Sequence, residues 1–94
     1  MKLNFEWDGS KAETNLKNHS VSFAEAANVF SDPLSITIPD IEHSSDESRY
    51  IDIGISDKGR LLIVVYTERG TNIRIINSRK ATPKERRRYE ESNL

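Results

Sequence analysis

The chain has 94 residues, of which 31 % are charged, with a formal net charge of −1 and no cysteine. That length fits one domain, 1–94, with a thin core that buries roughly 60–65 % of the unfolded surface. The absence of cysteine excludes disulfides and thiolate metal sites, and the net charge by itself does not mark a nucleic-acid binder.

Residues 2–7 read as a short strand, because Leu3, Phe5 and Trp7 alternate with Lys2, Asn4 and Glu6. Asp8 is a helix N-cap, and the helix it opens runs to about Lys17 with Ala12 and Leu16 on one face. Ser22-Phe23-Ala24-Glu25 is a capping box, with Val21 able to staple onto Ala26. Phe23, Ala26, Ala27 and Phe30 then share the face of a second helix that should pack on the sheet. Ser31-Asp32-Pro33 ends it. Residues 34–38 alternate as a strand, and a polar, mobile loop is expected through Ser48.

Strands follow near 49–55 and 61–67. Ile51, Ile53 and Ile55 face Leu61, Ile63 and Val65 if Ile55 pairs with Leu61 and Ile51 with Val65. The same register sets Arg49 opposite Thr67 and Glu47 opposite Arg69. A last strand, Thr71–Ser78, has two possible phases: Ile73 and Ile75 facing the core, or Ile76 with Arg74 and Ser78. Thr82, Pro83 and Glu85 mark the start of a final helix that reaches about Ser92. The order β-α-α-β-β-β-β-α predicts an α+β domain with a mainly antiparallel sheet of four or five strands. Its first two helices cover one face, and Ile51, Ile53, Leu61, Ile63 and Val65 share its core.

Charge is unevenly spread. Between Arg69 and Arg88 there are eight basic residues and one acidic residue, Glu85, while Asp40, Glu42, Asp46 and Glu47 cluster earlier. No phosphate loop, dinucleotide fingerprint, nucleophile elbow or zinc helix is present. His19 and His43 are the two histidines, so a transition-metal site is not expected. The remaining inventory of Glu47, several arginines, His19 and hydroxyls suits metal-free RNA cleavage. That reaction needs a base for the 2′-OH, an acid for the leaving 5′-oxygen and cations at the phosphorane. Arginine suits the cation role, being planar and permanently charged. Plainer roles are open to the same residues: a surface ion pair of about 0–1 kcal/mol for Glu47 with Arg69, a solvated helix face for Arg86-Arg87-Arg88, and a helix C-terminal cation for His19.

A resemblance sharpens this reading. Phe5-Glu6-Trp7-Asp8 with Lys11 and Asn15, Asn18-His19-Ser20-Val21-Ser22-Phe23, and then Ala26, Phe30, Asp32 and Pro33 follow the order seen in BrnT toxins. Glu47-Ser48-Arg49 with Gly54, Val64-Val65-Tyr66-Thr67-Glu68-Arg69, Arg74–Thr82, Glu85-Arg86 and Tyr89 continue it. The chain thus resembles the BrnT family from Phe5 to Tyr89. The resemblance implies a RelE-like fold, an endoribonuclease that arrests translation without a cofactor, and a BrnA-type antitoxin from the adjacent gene. It further implies a toxin–antitoxin hetero-oligomer that meets DNA only through the antitoxin. With no signal peptide and no run of ~18 apolar residues, a cytoplasmic protein without membrane contact is expected.

The site residues implied are Glu47, Arg49, Arg69 and Arg79 with His19 beside them. In this assignment Glu47 is the base, Arg69 and Arg79 hold the phosphate, Arg49 orients Glu47 and His19 assists. Lys17, Arg74 and Lys80 are candidate RNA contacts; Arg86, Arg87 and Tyr89 are candidate antitoxin contacts. Two positions depart from the family pattern, Asn18 in place of lysine and Ser20 in place of glycine. The first removes an ammonium and points to attenuated activity; the second implies a turn that avoids a strongly glycine-dependent conformation. The alternative function is an inactive homologue that serves only as a binding module in a regulatory complex. A lone RNA-binding domain is a weaker third, because exposed stacking aromatics are few.

Overall fold

The computed structural model describes residues 3–94; the expected strand residue Lys2 lies outside them. Strand β1 spans Asn4–Glu6, helix α1 Gly9–His19 and helix α2 Phe23–Asn28, which continues into a 3-10 turn at Val29–Ser31. Strand β2 (Ile36–Pro39) leads through a second 3-10 turn, Ile41–His43, to β3 (Arg49–Ile55), β4 (Leu61–Arg69), β5 (Asn72–Lys80) and helix α3 (Pro83–Ser92). Among the described residues the five strands form one sheet in the order β1-β5-β4-β3-β2, antiparallel except for the β1–β5 pair.

The hairpin register follows the matched alternation of its strands: Ile55 pairs with Leu61, Ile53 with Ile63, Ile51 with Val65 and Arg49 with Thr67. The five expected core residues do share a face, but it is not the face that α1 and α2 cover. Ile53, Leu61 and Ile63 pack with Tyr89 of α3, and Ile36, Ile38, Ile51, Ile55 and Val65 border them. The first two helices lie on the opposite face, where Val21, Phe23, Ala26 and Val29 meet Leu62, Val64 and Ile75. Central strands with helices on both sides read as near-continuous apolar runs, and Leu61–Val65 is such a run.

The ambiguous phase of β5 has a structural origin. Val65 pairs with Asn77 but Tyr66 pairs with Ile75, so Ile76 is an extra residue, a β-bulge. Ile73 and Ile75 face the helices before it and the buried Ser78 does so after it, so each phase holds for part of the strand.

Three local expectations are corrected. Leu16 is 53 % exposed, and the inward residue of α1 is Asn15, 5 % exposed. The Ser22 hydroxyl caps α2 by accepting from the Glu25 N–H at 3.0 Å, but the Glu25 carboxylate does not complete a box. It accepts instead from Ser56 and the Arg60 guanidinium, which hold its pKa down against burial. Ser20, finally, sits at φ 58° and ψ 30°, the left-handed conformation that favours glycine. Its N–H closes α1 on the Leu16 carbonyl at 2.9 Å, a geometry the C-cap requires whichever residue stands there.

Candidate active site

The sheet face opposite α1 and α2 is covered by α3 at one end only. Strand alternation places three arginines on the remainder. Arg49, Thr67 and Arg74 form one cross-strand row, and Arg79 stands beside Ile63 in another. Four residues of β4 separate the two rows, about 13 Å. A groove of about 520 Å³ runs over this face, walled by Arg49, Arg79, His43, Asp40, Glu42 and Lys11, and floored by Ile51, Ile63, Val65, Ile76 and Asn77. At its rim, His43, Ser45, Asp46, Glu47 and Arg49 enclose a hollow of about 80 Å³.

The expected site residues are not all gathered here. Glu47 accepts from Arg69 Nη2 at 3.2 Å, in the exposed ion pair that the hairpin register implied. The hydrogen-bond partner of the Glu47 carboxylate is therefore Arg69, and no bond joins it to Arg49 among the described residues. Arg79 donates two hydrogen bonds to Glu85, at 2.8 and 2.9 Å. The Glu85 carboxyl falls to about 2, chiefly through that guanidinium. Arg74 donates to Glu6 at 2.8 Å. Among the described residues, Arg49 alone of these four arginines has no carboxylate partner. Its backbone is fixed by the loop before it: its N–H donates to Ser44 Oγ at 2.9 Å and its carbonyl accepts from the Asp40 N–H at 2.8 Å. The loop expected to be mobile is thus hydrogen-bonded onto the start of β3.

His19 lies outside the main groove. It ends α1 and lines a neighbouring cavity of about 260 Å³ with Asn15, Asn18, Ile76 and Asn77. Lys11 lines both cavities. Lys17 and Lys80 are exposed at the ends of α1 and β5. Arg86 and Arg87 are exposed on α3, whereas Tyr89, the third residue expected to contact an antitoxin, is buried within this chain. Its hydroxyl donates to Asp32 Oδ2 at 2.6 Å, and burial with that carboxylate pushes its pKa up to about 12. An aromatic at the inward position of a short helix is needed to bury that helix at all.

Three residues of this site were not singled out from sequence. His43 Nδ1 lies 3.1 and 3.0 Å from the two carboxylate oxygens of Asp40, and Lys11 faces the groove from α1. An Asp-x-x-His spacing after Pro39 is a signal, but only the 3-10 turn brings the pair together. Among the described residues no group of three or more His, Asp or Glu side chains is arranged to hold a metal ion, and no helix is long and apolar enough to cross a membrane.

The structure is thus of the α+β class, a five-stranded sheet with an arginine-bearing groove on its open face. The family model described as "Ribonuclease toxin, BrnT, of type II toxin-antitoxin system" matches residues 7–85, and the chain belongs to that family. The 1.1 Å crystal structure of the Brucella abortus ribonuclease toxin BrnT superposes with a TM-score of 0.66 at 21 % identity, covering 86 % of this chain and 99 % of that one. The likeness extends to the same fold. No curated protein matches. The protein is accordingly a BrnT-family ribonuclease toxin of a type II toxin–antitoxin system, a class that implies an antitoxin partner.

Proposed function

We propose that the protein cleaves RNA without a metal ion in the groove over the open sheet face, and that this cleavage inhibits translation. The observation that carries the reading is Arg49: a guanidinium with no carboxylate partner, on a fixed backbone, beside Glu47 in a hollow opening onto the groove. A free planar cation of this kind suits a phosphodiester whose charge grows in the transition state. Glu47, held by Arg69, is the base that takes the 2′-OH proton. Arg79, and Arg74 along the same face, contact flanking phosphates when they leave Glu85 and Glu6. Lys17, Lys80 and His19 lie towards the periphery of this path.

A BrnA-type antitoxin from the adjacent gene blocks the groove and supplies the DNA contacts of the complex. A second reading, attenuated or absent catalysis, is favoured by the neutralised state of Arg69, Arg74 and Arg79 and by Asn18. Incubation of purified protein with RNA separates the two. Cleavage that survives EDTA, leaves 2′,3′-cyclic phosphate ends and drops about 10²–10⁴-fold in Glu47→Gln supports the proposal. Cleavage lost in EDTA and restored by manganese or zinc refutes metal independence. No cleavage of free or ribosome-bound RNA favours the binding module.

A further inference from the structure

RNA cleavage by 2′-OH attack needs two proton-transfer groups, and Glu47 supplies one. We propose that His43, oriented by Asp40, is the general acid that protonates the leaving 5′-oxygen. This inference rests on the ribonuclease reading above and identifies the second group of the same site.

The geometry has three parts. His43 and Glu47 line one hollow with Arg49, so a phosphate on that guanidinium has a carboxylate and an imidazole around it. His43 also lines the main groove with Arg49 and Arg79, whereas His19 belongs to the neighbouring cavity. The imidazole is aimed: Nδ1 sits 3.0–3.1 Å from both Asp40 oxygens, which fixes Nδ1–H as the donor to the carboxylate and leaves Nε2 for substrate. Asp40 is the sheltered member of the pair, its side chain 13 % exposed against 64 % for His43. Its position is set by the backbone, since its N–H donates to Arg49 and its carbonyl accepts from Ser44 Oγ. A sheltered carboxylate holding the inner nitrogen of an exposed imidazole fixes the ring and keeps its outer nitrogen presented to the groove.

In the step, the Glu47 carboxylate accepts the 2′-OH proton as the 2′-oxygen bonds to phosphorus. The P–O5′ bond breaks, and the 5′-oxygen takes the Nε2 proton of His43. The products are a 2′,3′-cyclic phosphate and a 5′-hydroxyl. Glu47 is left protonated and His43 neutral, and proton exchange with water restores both. Arg49 stays charged throughout. Asp40 is a positioning residue.

The test uses the whole protein, an RNA containing the linkage that the wild type cleaves, and the same RNA with sulfur in place of the bridging 5′-oxygen. A thiolate departs without a proton, so the sulfur linkage does not need the acid. His43→Gln, at an exposed position, should cut the oxygen linkage about 10²–10⁴-fold more slowly and the sulfur linkage within a few-fold of the wild type. Asp40→Asn should lose less and be rescued by sulfur in the same way. Glu47→Gln should be slow on both. If the wild type cleaves but His43→Gln matches it on oxygen, or is equally slow on sulfur, His43 is not the acid. If the wild type cleaves neither RNA, the ribonuclease reading itself fails and this assignment with it.

Discussion

Asn15 pairs with Ser78 as a neighbouring strand would: its Oδ1 accepts the Ser78 N–H at 3.1 Å and its Nδ2 donates to the Ser78 carbonyl at 2.8 Å. The same Nδ2 donates to the Val21 carbonyl at 2.9 Å. Strand β1 pairs with β5 only as far as Arg74, so beyond it the inner edge of β5 lacks a strand partner and a helix side chain takes its place. Asn15→Ala strands three backbone groups, the N–H and carbonyl of Ser78 and the carbonyl of Val21, on two fully buried residues. Each unsatisfied group costs about 1–3 kcal/mol, so a loss of at least about 3 kcal/mol is expected, read as a lower urea midpoint with an unchanged m-value. A change under 0.5 kcal/mol would mean that water replaces the amide without cost.

Ser20 offers the opposite case. A non-glycine residue in the left-handed region carries a penalty of roughly 1–2 kcal/mol, partly offset in glycine by the entropy it loses on folding. Ser20→Gly keeps the C-cap hydrogen bond to Leu16 and should raise stability by about 0.5–1 kcal/mol. Thermal unfolding of the two proteins at one pH checks it; a lower Tm in the variant would show that the serine side chain contributes more than its backbone costs.

The contrast shows where sequence was informative. The β3–β4 register was legible because two matched alternating faces admit only one alignment that keeps both apolar sets together. The helix starts at Asp8, Ser22 and Thr82 were legible because a cap is a local device. The inward role of Asn15 was not, because its partners are 63 residues away and periodicity counts an amide as polar. The bulge at Ile76 hid the phase of β5 for a related reason: it is a property of the β4–β5 pair. In the candidate site, the register brought out Glu47 with Arg69. The sequence did not reveal that Arg79 is held by Glu85, or that Asp40 orients His43, because both depend on how a turn delivers side chains.

Gly54 marks a close approach rather than a special backbone angle. A Cβ there would stand 2.8 Å from Val29 Cγ1 and 3.0 Å from Ser35 Cβ. Gly54→Ala should therefore push the Val29–Ser31 turn off the sheet and cost about 1–3 kcal/mol, the usual range for overpacking. Denaturant titration reads it, and a neutral result would mean that Val29 has room to rotate away.

The Arg79–Glu85 pair has a pH signature. Arg79 donates to both Glu85 oxygens and the Thr82 N–H donates to one of them, holding the carboxyl at about 2 against an ordinary 4.5. A carboxyl depressed by folding contributes stability that is present above its unfolded value and lost as pH falls through the folded one. The contribution should therefore persist at neutral pH and fade between 4.5 and about 2. Arg79 is partly exposed, so solvent screening keeps the pair's worth to about 1 kcal/mol. Glu85→Gln should be less stable than the wild type at neutral pH, with the difference shrinking across that acid window. A difference independent of pH would assign the loss to the helix cap instead.

The last prediction concerns the antitoxin. Helix α3 buries Tyr89 and leaves Arg86, Arg87 and Arg88 exposed. None of the three forms a hydrogen bond or ion pair through its side chain among the described residues. A basic face of this kind favours an acidic partner segment, and a stable complex would bury about 1,200–2,000 Å² in total. Complementary charge acts mainly on the rate of encounter, and salt screens it. Replacing Arg86 and Arg87 by glutamate should therefore slow association with the antitoxin and flatten its dependence on ionic strength. The fold should tolerate the change, because both residues lie near the N-terminus of α3, where the helix dipole favours negative charge. Association kinetics of the purified pair at low and high salt, beside a thermal melt of the variant alone, separate the two effects. An unchanged association rate would remove Arg86 and Arg87 from the docking face and direct attention to the groove between Arg49 and Arg79.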